Sequence, residues 1–486
     1  MISHRGNAHK SNSIITAATG PQSFGLGVIA LALAATYVGC GGSTSNRSDQ
    51  GGSVSDDAGT SVDSGTGIEP TEAGAAVDSG SGVPDAAPDA SSGGPSSVYP
   101  AFTVDVAQVV DNGGPVLTAP VVVTITWTGD PDAPTYQAFG DSIGASTYWS
   151  DINSEYGVGK ATSLNPNHVI IPTPAAVSGF DDQDLDAYVE ANVGTTWPAP
   201  TANTIYALYL PPGSPLYLGG PPDAGGLDGC MAGVGGYHTE SQNKNYVYAI
   251  MPHCPNFQTA DVELAASHEL NEASTDPHPG TAPAYVGFDQ NHLAFEFFNQ
   301  FQDELGDACE SFATASDAVD FTPYTVQRQW SNKSAAAGSQ WCLPKLPEPM
   351  YNTTFLPSTD LDTISVNLNT IYPGAGTATS KGFKMALNST RTFPIGLFSD
   401  MATSAPFTLD VYALTNPIGQ DQSGNPINNG TATVTIDKTS GVNGDIANVT
   451  VTPTAYSSLG VIFFAIRAQL TGSQQHHYLP VLISQN

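Results

Sequence analysis

Ala265-Ala266-Ser267-His268-Glu269-Leu270-Asn271-Glu272-Ala273-Ser274-Thr275-Asp276-Pro277 is the stretch on which the reading of this chain turns. With Val262 and Leu264 just before it, its apolar residues Ala265, Leu270 and Ala273 recur at helical spacing, and Asp276-Pro277 is a stop. His268 and Glu272 stand four apart and project from one face, and Asp276 continues that stripe one turn later. A histidine and two carboxylates in line suit a divalent cation. Glu269, one residue round the helix, is placed to activate a metal-bound water. The competing reading is a solvated acidic helix that carries one histidine.

Outward from this helix the central region, residues 98–348, alternates strands and helices. Val121–Trp127 is a β-branched run between Pro120 and Gly129-Asp130-Pro131, the pattern of a strand. Residues 136–156 carry Phe139, Ile143, Tyr148, Trp149 and Ile152 at mixed helical spacing, which predicts one or two helices. A short strand at Val169–Ile171 precedes Pro172, and 181–193 reads as a helix whose acidic first turn suits the dipole. Further strands are expected at 205–210 and 246–251, with a Gly/Pro-rich loop between them. The pattern predicts an α+β domain with a mixed sheet and the His268 helix as its active-site helix.

After Pro347 to Pro349 the pattern changes. In residues 350–486, Phe383, Met385 and Leu387 alternate, as do Phe407, Leu409, Val411 and Ala413. Residues 431–436 and 447–451 are rich in Thr and Val, and 461–466 is a continuous apolar run. Gly, Asn, Pro and Ser fill the gaps. This predicts an all-β, immunoglobulin-like sandwich without a disulfide, accessory to the central domain. His476-His477 reads as an exposed pair on a strand edge.

The first 40 residues read as a targeting segment. His4, Arg5, His9 and Lys10 form a basic region ahead of an apolar run at 24–35. It ends at Tyr37-Val38-Gly39-Cys40, which resembles a bacterial lipobox with Tyr37 where leucine is usual; Cys40 is then the lipidated residue. An ordinary signal peptide cut nearby, or an N-terminal anchor, is the alternative. Residues 41–97 are Gly, Ser, Ala, Asp and Pro with almost no large apolar side chain. They predict a disordered acidic tether.

Over all 486 residues, 13 basic residues face 45 acidic ones, a formal charge of −32. Such a field repels nucleic acid, which excludes a nucleic-acid partner, and favours capture of cations. Cys40 aside, Cys230, Cys254, Cys309 and Cys342 remain, an even number that suggests two disulfides in an exported chain. Three pairings are open. Order along the chain favours Cys230 with Cys254 and Cys309 with Cys342.

Gly236-Tyr237-His238 after Cys230, the run from His268 to Pro277, Glu304-x-Gly306-Asp307-x-Cys309, and Trp330-Ser331-Asn332 before Cys342 form an ordered set. Together they resemble the EXORDIUM-like, phosphate-induced proteins, and more closely the secreted bacterial and fungal proteins that share their core. The resemblance covers most of residues 100–345. This chain has Asp276-Pro277 where plant members tend to carry Asn-Pro. The resemblance implies export, two disulfides and one shared site; it implies no particular reaction.

The constellation His238, His268, Glu269, Glu272, Asp276, Glu304 and Asp307 consists of metal-ligand and acid–base side chains. The helix pattern is the zincin arrangement with its second histidine replaced by glutamate. In that reading His268, Glu272, Glu304 and Asp276 hold zinc, Glu269 is the catalytic base, and His238 and Asp307 orient ligands from behind. His278 and His292 flank the site as candidate substrate-side residues. The oxygen-rich set also suits calcium. No Gly-x-Ser-x-Gly stands as an elbow between a strand and a helix, no P-loop is present, no Gly-x-Gly-x-x-Gly opens a helix after a strand, and the four later cysteines have no Cys-x-x-Cys spacing. Two functions follow as expectations: a zinc-dependent, peptidase-like hydrolase, lipid-anchored at the cell surface or outer membrane or else secreted; or a non-catalytic surface protein that binds a cell-wall polymer or peptide and carries a structural metal. Hydrolysis requires Glu269 to face an open, water-filled cleft.

Overall fold

The computed structural model describes residues 93–485 apart from 164–167, 173–178, 242–245, 300–303, 313–317, 322, 372–375, 414–417, 421–424 and 474. The expected targeting segment, Cys40 and the tether up to residue 92 lie outside the described residues. The chain is mixed α+β, with many strands and few helices.

Strands β1 (Val121–Trp127), β2 (Val169–Ile171), β3 (Thr204–Tyr209), β4 (Tyr237–Glu240) and β5 (Val247–Met251) form a five-stranded sheet in the order β2-β1-β3-β5-β4. All neighbours are parallel except β4, which closes one edge antiparallel to β5. Every residue of β3 and β5 is buried, as strands covered on both faces require. On one face Ala207, Val247, Ala249 and Met251 meet Tyr136, Phe139 and Ile143 of helix α1 (Ala133–Ile143) and Trp149 of α2 (Thr147–Asn153). Helix α3 (Asp182–Asn192) covers the other face, packing Leu185 and Val189 on Tyr206, Leu208 and Ile250. The region expected to hold one or two helices holds α1 and α2.

Helix α4 (Thr259–Thr275) is the quoted stretch. A capping box starts it: the Gln258 side chain accepts from the main chain of Asp261, and Gln258 N donates to Asp261 Oδ2 at 2.7 Å. Val262, Ala266, Leu270 and Ala273 pack on the central sheet. The opposite side is not solvated, so the acidic-surface reading does not hold. Strand β6 (Tyr324–Gln327), in a hairpin with Ala318–Phe321, lies along it. Gln327 N donates to Ser267 Oγ at 2.8 Å and Thr325 N to Glu263 Oε2 at 3.2 Å. Every residue from Val262 to Thr275 is therefore buried.

C-terminal to this region come β7 (Tyr351–Phe355), β8 (Asp362–Asn367), β9 (Thr377–Lys384), β10 (Arg391–Ser399), β11 (Phe407–Ala413), β12 (Thr431–Ile436), β13 (Ser440–Gly441), β14 (Ile446–Ala455), β15 (Val461–Leu470) and β16 (His476–Ser484). They make a four-stranded sheet, β7-β10-β14-β12, and a six-stranded sheet, β8-β9-β16-β15-β11-β13. Inward residues Phe393, Ile395, Leu397 and Val449 of the first share one core with Phe407, Leu409, Phe464, Ile466 and Val481 of the second, the period-2 outcome of alternating sequence.

The structure departs from two expectations. The alternation through Phe383, Met385 and Leu387 does not mark one strand: β9 ends at Lys384 and Leu387 is exposed. Asn388 takes a φ of 63°, a left-handed conformation that asparagine tolerates in turns. Nor is His476-His477 an exposed edge pair. β16 lies between β9 and β15, and His477 is buried edge-on to the rings of Trp341 and Tyr351 at 5.9 and 5.0 Å.

Residues before and after Pro347 also meet directly. Leu293, Ala294 and Phe297 of α5 (Leu293–Phe298) share a buried cluster with Ile364, Val366, Phe463 and Leu482. Phe297 stacks on Phe463 at 3.9 Å.

Candidate metal centre

Three segments converge on one buried cluster. α4 supplies His268, Glu269 and Glu272 and ends on Asp276, edge strand β4 supplies His238, and Glu304 and Asp307 come from the turn that opens α6 (Asp307–Phe312). His238 Nδ1 lies 3.4 Å from Glu269 Oε2 and 3.7 Å from Glu272 Oε2. Its Nε2 lies 3.3 Å from the main-chain oxygen of Asp276 and 3.8 Å from Glu304 Oε2. His268 Nε2 is 2.9 Å from Glu272 Oε2 and 3.5 Å from Asp307 Oδ1. The side chains singled out in the sequence thus meet, in a particular grouping. His238, Glu269 and Glu272 form one set able to hold a cation, and His268, Glu272 and Asp307 another. Glu304 and Asp276 stand beside these sets rather than in them; Asp276 Oδ1 accepts from Ala284 N at 2.8 Å.

Helical spacing explains part of this. His268 and Glu272 are successive turns of one face, and Glu269 is turned toward β4. The rest is set by hydrogen bonds that the sequence does not announce. Gln327 Oε1 sits 3.0 Å from His268 Nδ1, while Gln327 Nε2 donates to Gly306 O at 2.8 Å. The amide carbonyl thereby takes the Nδ1 proton of His268 and leaves Nε2 for the cluster, the arrangement usual behind a metal-binding imidazole. A lone glutamine in a short strand has no motif, so no sequence signal marked Gln327. Glu272 is fixed in turn: its Oε1 accepts from Gly306 N at 3.0 Å and Asp307 N at 3.2 Å, leaving Oε2 to face both histidines.

Two glycines make these approaches possible. A Cβ on Gly306 would stand 2.7 Å from Glu272 Oε1 and from His268 Nδ1, and one on Gly236 2.7 Å from Glu269 Oε1. Both distances are below any ordinary contact, so these positions are limited to glycine by proximity. The disulfides flank the same elements. Cys230–Cys254 ties the segment before β4 to the one between β5 and α4, and Cys309–Cys342 ties α6 to the strand Cys342–Leu343. Of the three possible pairings the structure forms the one favoured by chain order. Such bonds persist in oxidising compartments, consistent with an extracellular protein. Among the described residues no helix is long and apolar enough to cross a membrane.

Burial and mutual charge shape the protonation of the cluster. Burial opposes the charged form of His268, but the Glu272 carboxylate outweighs it and raises the imidazole pKa well above its usual value. Burial would raise Glu272; the His268 imidazole reverses this and lowers it to about 2. His238 is raised as well, burial being outweighed by Glu269 and Glu272. Burial, reinforced by Glu272, pushes Glu304 well above the carboxylate range and Asp307 up to about 7. Asp276 is raised to about 6, chiefly by burial. The cluster without a cation thus moderates its negative charge by holding protons. A cation that binds there displaces them, which couples its affinity to pH. His238, His268, Glu269 and Glu272 have almost no exposed side-chain surface, whereas Glu304 and Asp307 keep 16% and 24%. The cluster therefore meets solvent on the Glu304–Asp307 side.

Neither flanking histidine joins the cluster in the hydrogen bonds and ion pairs of the described residues. His278 Nδ1 pairs with Glu240 Oε2 at 3.1 Å. His292 is clamped between Asp289 Oδ2 at 2.8 Å and Asp105 Oδ1 at 3.2 Å. The Trp330-Ser331-Asn332 run is structural in its contacts: Asn332 Oδ1 accepts from Val109 N and from Trp330 Nε1, and Ser331 caps a one-turn helix.

No family model matches this chain, and no curated protein matches it. Among solved structures, domains 4 and 5 of the S-layer protein SbsC align with 28% of this chain and 77% of that chain, at 15% identity and a TM-score of 0.14. A score that low carries no argument about fold or function.

Proposed function

We propose that this is an exported, lipid-anchored surface protein whose α4 cluster holds a divalent cation, zinc foremost, and uses it for hydrolysis of a peptide-like bond. The observation that carries the reading is the meeting of two histidines from different elements with Glu272. One imidazole is already oriented by Gln327, with its Nε2 turned to Glu272 and Asp307. A cation there acts as a Lewis acid and lowers the pKa of a bound water toward neutrality. The antiparallel edge strand beside the site helix supports a zincin-like arrangement. The C-terminal strand orders support an immunoglobulin-like sandwich, an accessory module that spaces the site or binds wall polymer. EXORDIUM-like kinship, the Cys40 anchor and the tether remain part of the same proposal, with the membrane as the anchor's partner.

One observation favours a second reading, a non-catalytic binding protein with a structural cation such as calcium. Glu269 is buried against His238 rather than turned to an open cleft. Elemental mass spectrometry of the purified protein separates the two. Zinc that is lost in Glu272→Ala, together with a peptide turnover that Glu269→Gln abolishes, supports the hydrolase. Calcium alone, with no turnover on any peptide library, selects the binding protein, and no metal at all in a folded sample never exposed to chelator ends both.

A further inference from the structure

The hydrolase reading places one cation at the cluster, yet the ligand atoms do not gather around one point. They fall into two sets that share only Glu272: His238 with Glu269, and His268 with Asp307. The two histidines belong to different sets, so a single ion held by one imidazole leaves the other without a metal. Glu272 Oε2 lies between them, 2.9 Å from His268 Nε2 and 3.7 Å from His238 Nδ1, while Gly306 and Asp307 amides occupy its other oxygen. A carboxylate oxygen fixed in this way is a bridging ligand in waiting. The cluster also holds carboxyl groups beyond the two sets: Glu304 Oε2 lies 3.8 Å from His238 Nε2, and Asp276 ends the same helix. Asp276 is wholly buried, and its Oδ2 has no hydrogen-bond partner among the described residues. This orphan oxygen belongs to the residue whose main-chain oxygen meets His238 Nε2 at 3.3 Å, and a buried polar atom of this kind calls for a partner such as a cation or its water.

Resting on the hydrolase reading, we infer that the site is dinuclear: two divalent cations, one held by His238 and Glu269 and the other by His268 and Asp307, bridged by Glu272. Each position offers one imidazole nitrogen and two carboxylates, a set that suits zinc or manganese better than calcium. Paired cations about 3.5–4 Å apart clamp the attacking and leaving oxygens of a hydrolytic displacement. The pairing also accounts for the closed position of Glu269, which becomes a ligand. Glu304, 16% exposed and 3.8 Å from His238, then stands on the solvent side of the pair.

The test is stoichiometry and coupling in the full-length protein. Saturation with zinc chloride followed by desalting and elemental mass spectrometry is expected to give two zincs per chain. One should remain in Glu269→Gln, one in Asp307→Asn, and none in Glu272→Gln, each variant checked for folding by circular dichroism. Loaded with manganese, the wild type should give the exchange-coupled paramagnetic resonance spectrum of a pair. That measurement decides the matter even if a variant misfolds. One zinc per chain and an uncoupled manganese spectrum overturn the pair and leave the hydrolase reading standing. No bound metal overturns both. Two zincs that persist in all three variants lie elsewhere and also overturn it.

Discussion

Helix α4 and strand β15 are both buried along nearly their whole length, with opposite contents. β15 buries Val461, Ile462, Phe463, Phe464, Ala465 and Ile466; α4 buries Glu263, His268, Glu269, Asn271 and Glu272 among its alanines and leucines. Removing apolar surface from water stabilises by ~25 cal/mol per Å². Removing charges costs free energy unless each finds a partner. The C-terminal sheets and the central sheet therefore stabilise the molecule, and α4 draws on that stability to hold a constellation that packing alone would not select. Departures of this kind from local packing rules are expected at functional or strained positions.

The largest effect should come from the apolar side of this comparison. Phe463 is 2% exposed and stacks on Phe297 at 3.9 Å. Phe463→Ala deletes a buried ring and leaves a cavity, an expected loss of ~3–5 kcal/mol in urea unfolding, with metal content unchanged. A loss below ~1 kcal/mol would mean that the contact between α5 and β15 contributes little, and the comparison would break at its stable end.

His477 is the exception inside the apolar region, a buried imidazole whose ring nitrogens have no hydrogen-bond partner among the described residues. Burial, helped by Arg328, depresses its pKa to about 3. The sign follows from the unfolded chain, which takes up a proton near pH 6.5 while the folded one does not until about 3. Stability from this group is thus complete above pH 6.5 and is lost as pH falls toward 3, by up to ~5 kcal/mol. His477→Phe keeps a ring between Trp341 and Tyr351 and should remove that part of the acid loss. Parallel pH-dependent melts of the two proteins check this; equal slopes below pH 6 would refute it.

Much of the fold was legible in the residues themselves, and for a plain reason. Val121–Trp127, Val169–Ile171 and Phe407–Ala413 are strands with the bounds their patterns predict, because β-branched runs and alternation act locally. The members of the site were legible too, since His268 and Glu272 share a helix face whatever surrounds it. Their grouping was not. That Asp307 rather than Glu304 or Asp276 stands beside His268 depends on the turn at Gly306, and the orientation of His268 depends on Gln327, some 60 residues along the chain. Long-range hydrogen bonds leave no periodicity. For the same reason His476-His477 reads as an edge: nothing in the pair announces that strands flank β16 on both sides.

The opposite sign is expected inside the cluster. Burial disfavours the charged form of Asp307, Glu272 and Glu269 add to this, and His268 offsets only part of it. Asp307→Asn removes one negative charge and keeps the shape. In chelated, metal-free protein at pH 8 it should raise stability by ~1–3 kcal/mol, while metal capacity falls. Stability and ligation moving in opposite directions is the signature of a site maintained at a cost. If both fell together, Asp307 would be a structural partner of His268 instead.

The smallest effect should come from a charge pair on the outside of the C-terminal sheets. Arg467 of β15 reaches across to Asp410 of β11 with Nε at 2.9 Å and Nη2 at 2.5 Å from its two carboxylate oxygens, and its guanidinium lies over the Tyr412 ring at 5.6 Å. The geometry is bidentate, the best that such a pair attains. Yet Arg467 is 29% and Asp410 52% exposed, so water screens the attraction and restores most of what breaking it removes. Arg467→Met, which keeps the stem on Tyr412, should therefore cost less than ~1 kcal/mol, and that small loss should shrink further at high salt. The His268–Glu272 pair has a similar separation, 2.9 Å, and no such escape to solvent, so burial is what distinguishes the two pairs. A salt-insensitive loss of several kcal/mol at Arg467 would show that exposure is not what separates the two regions.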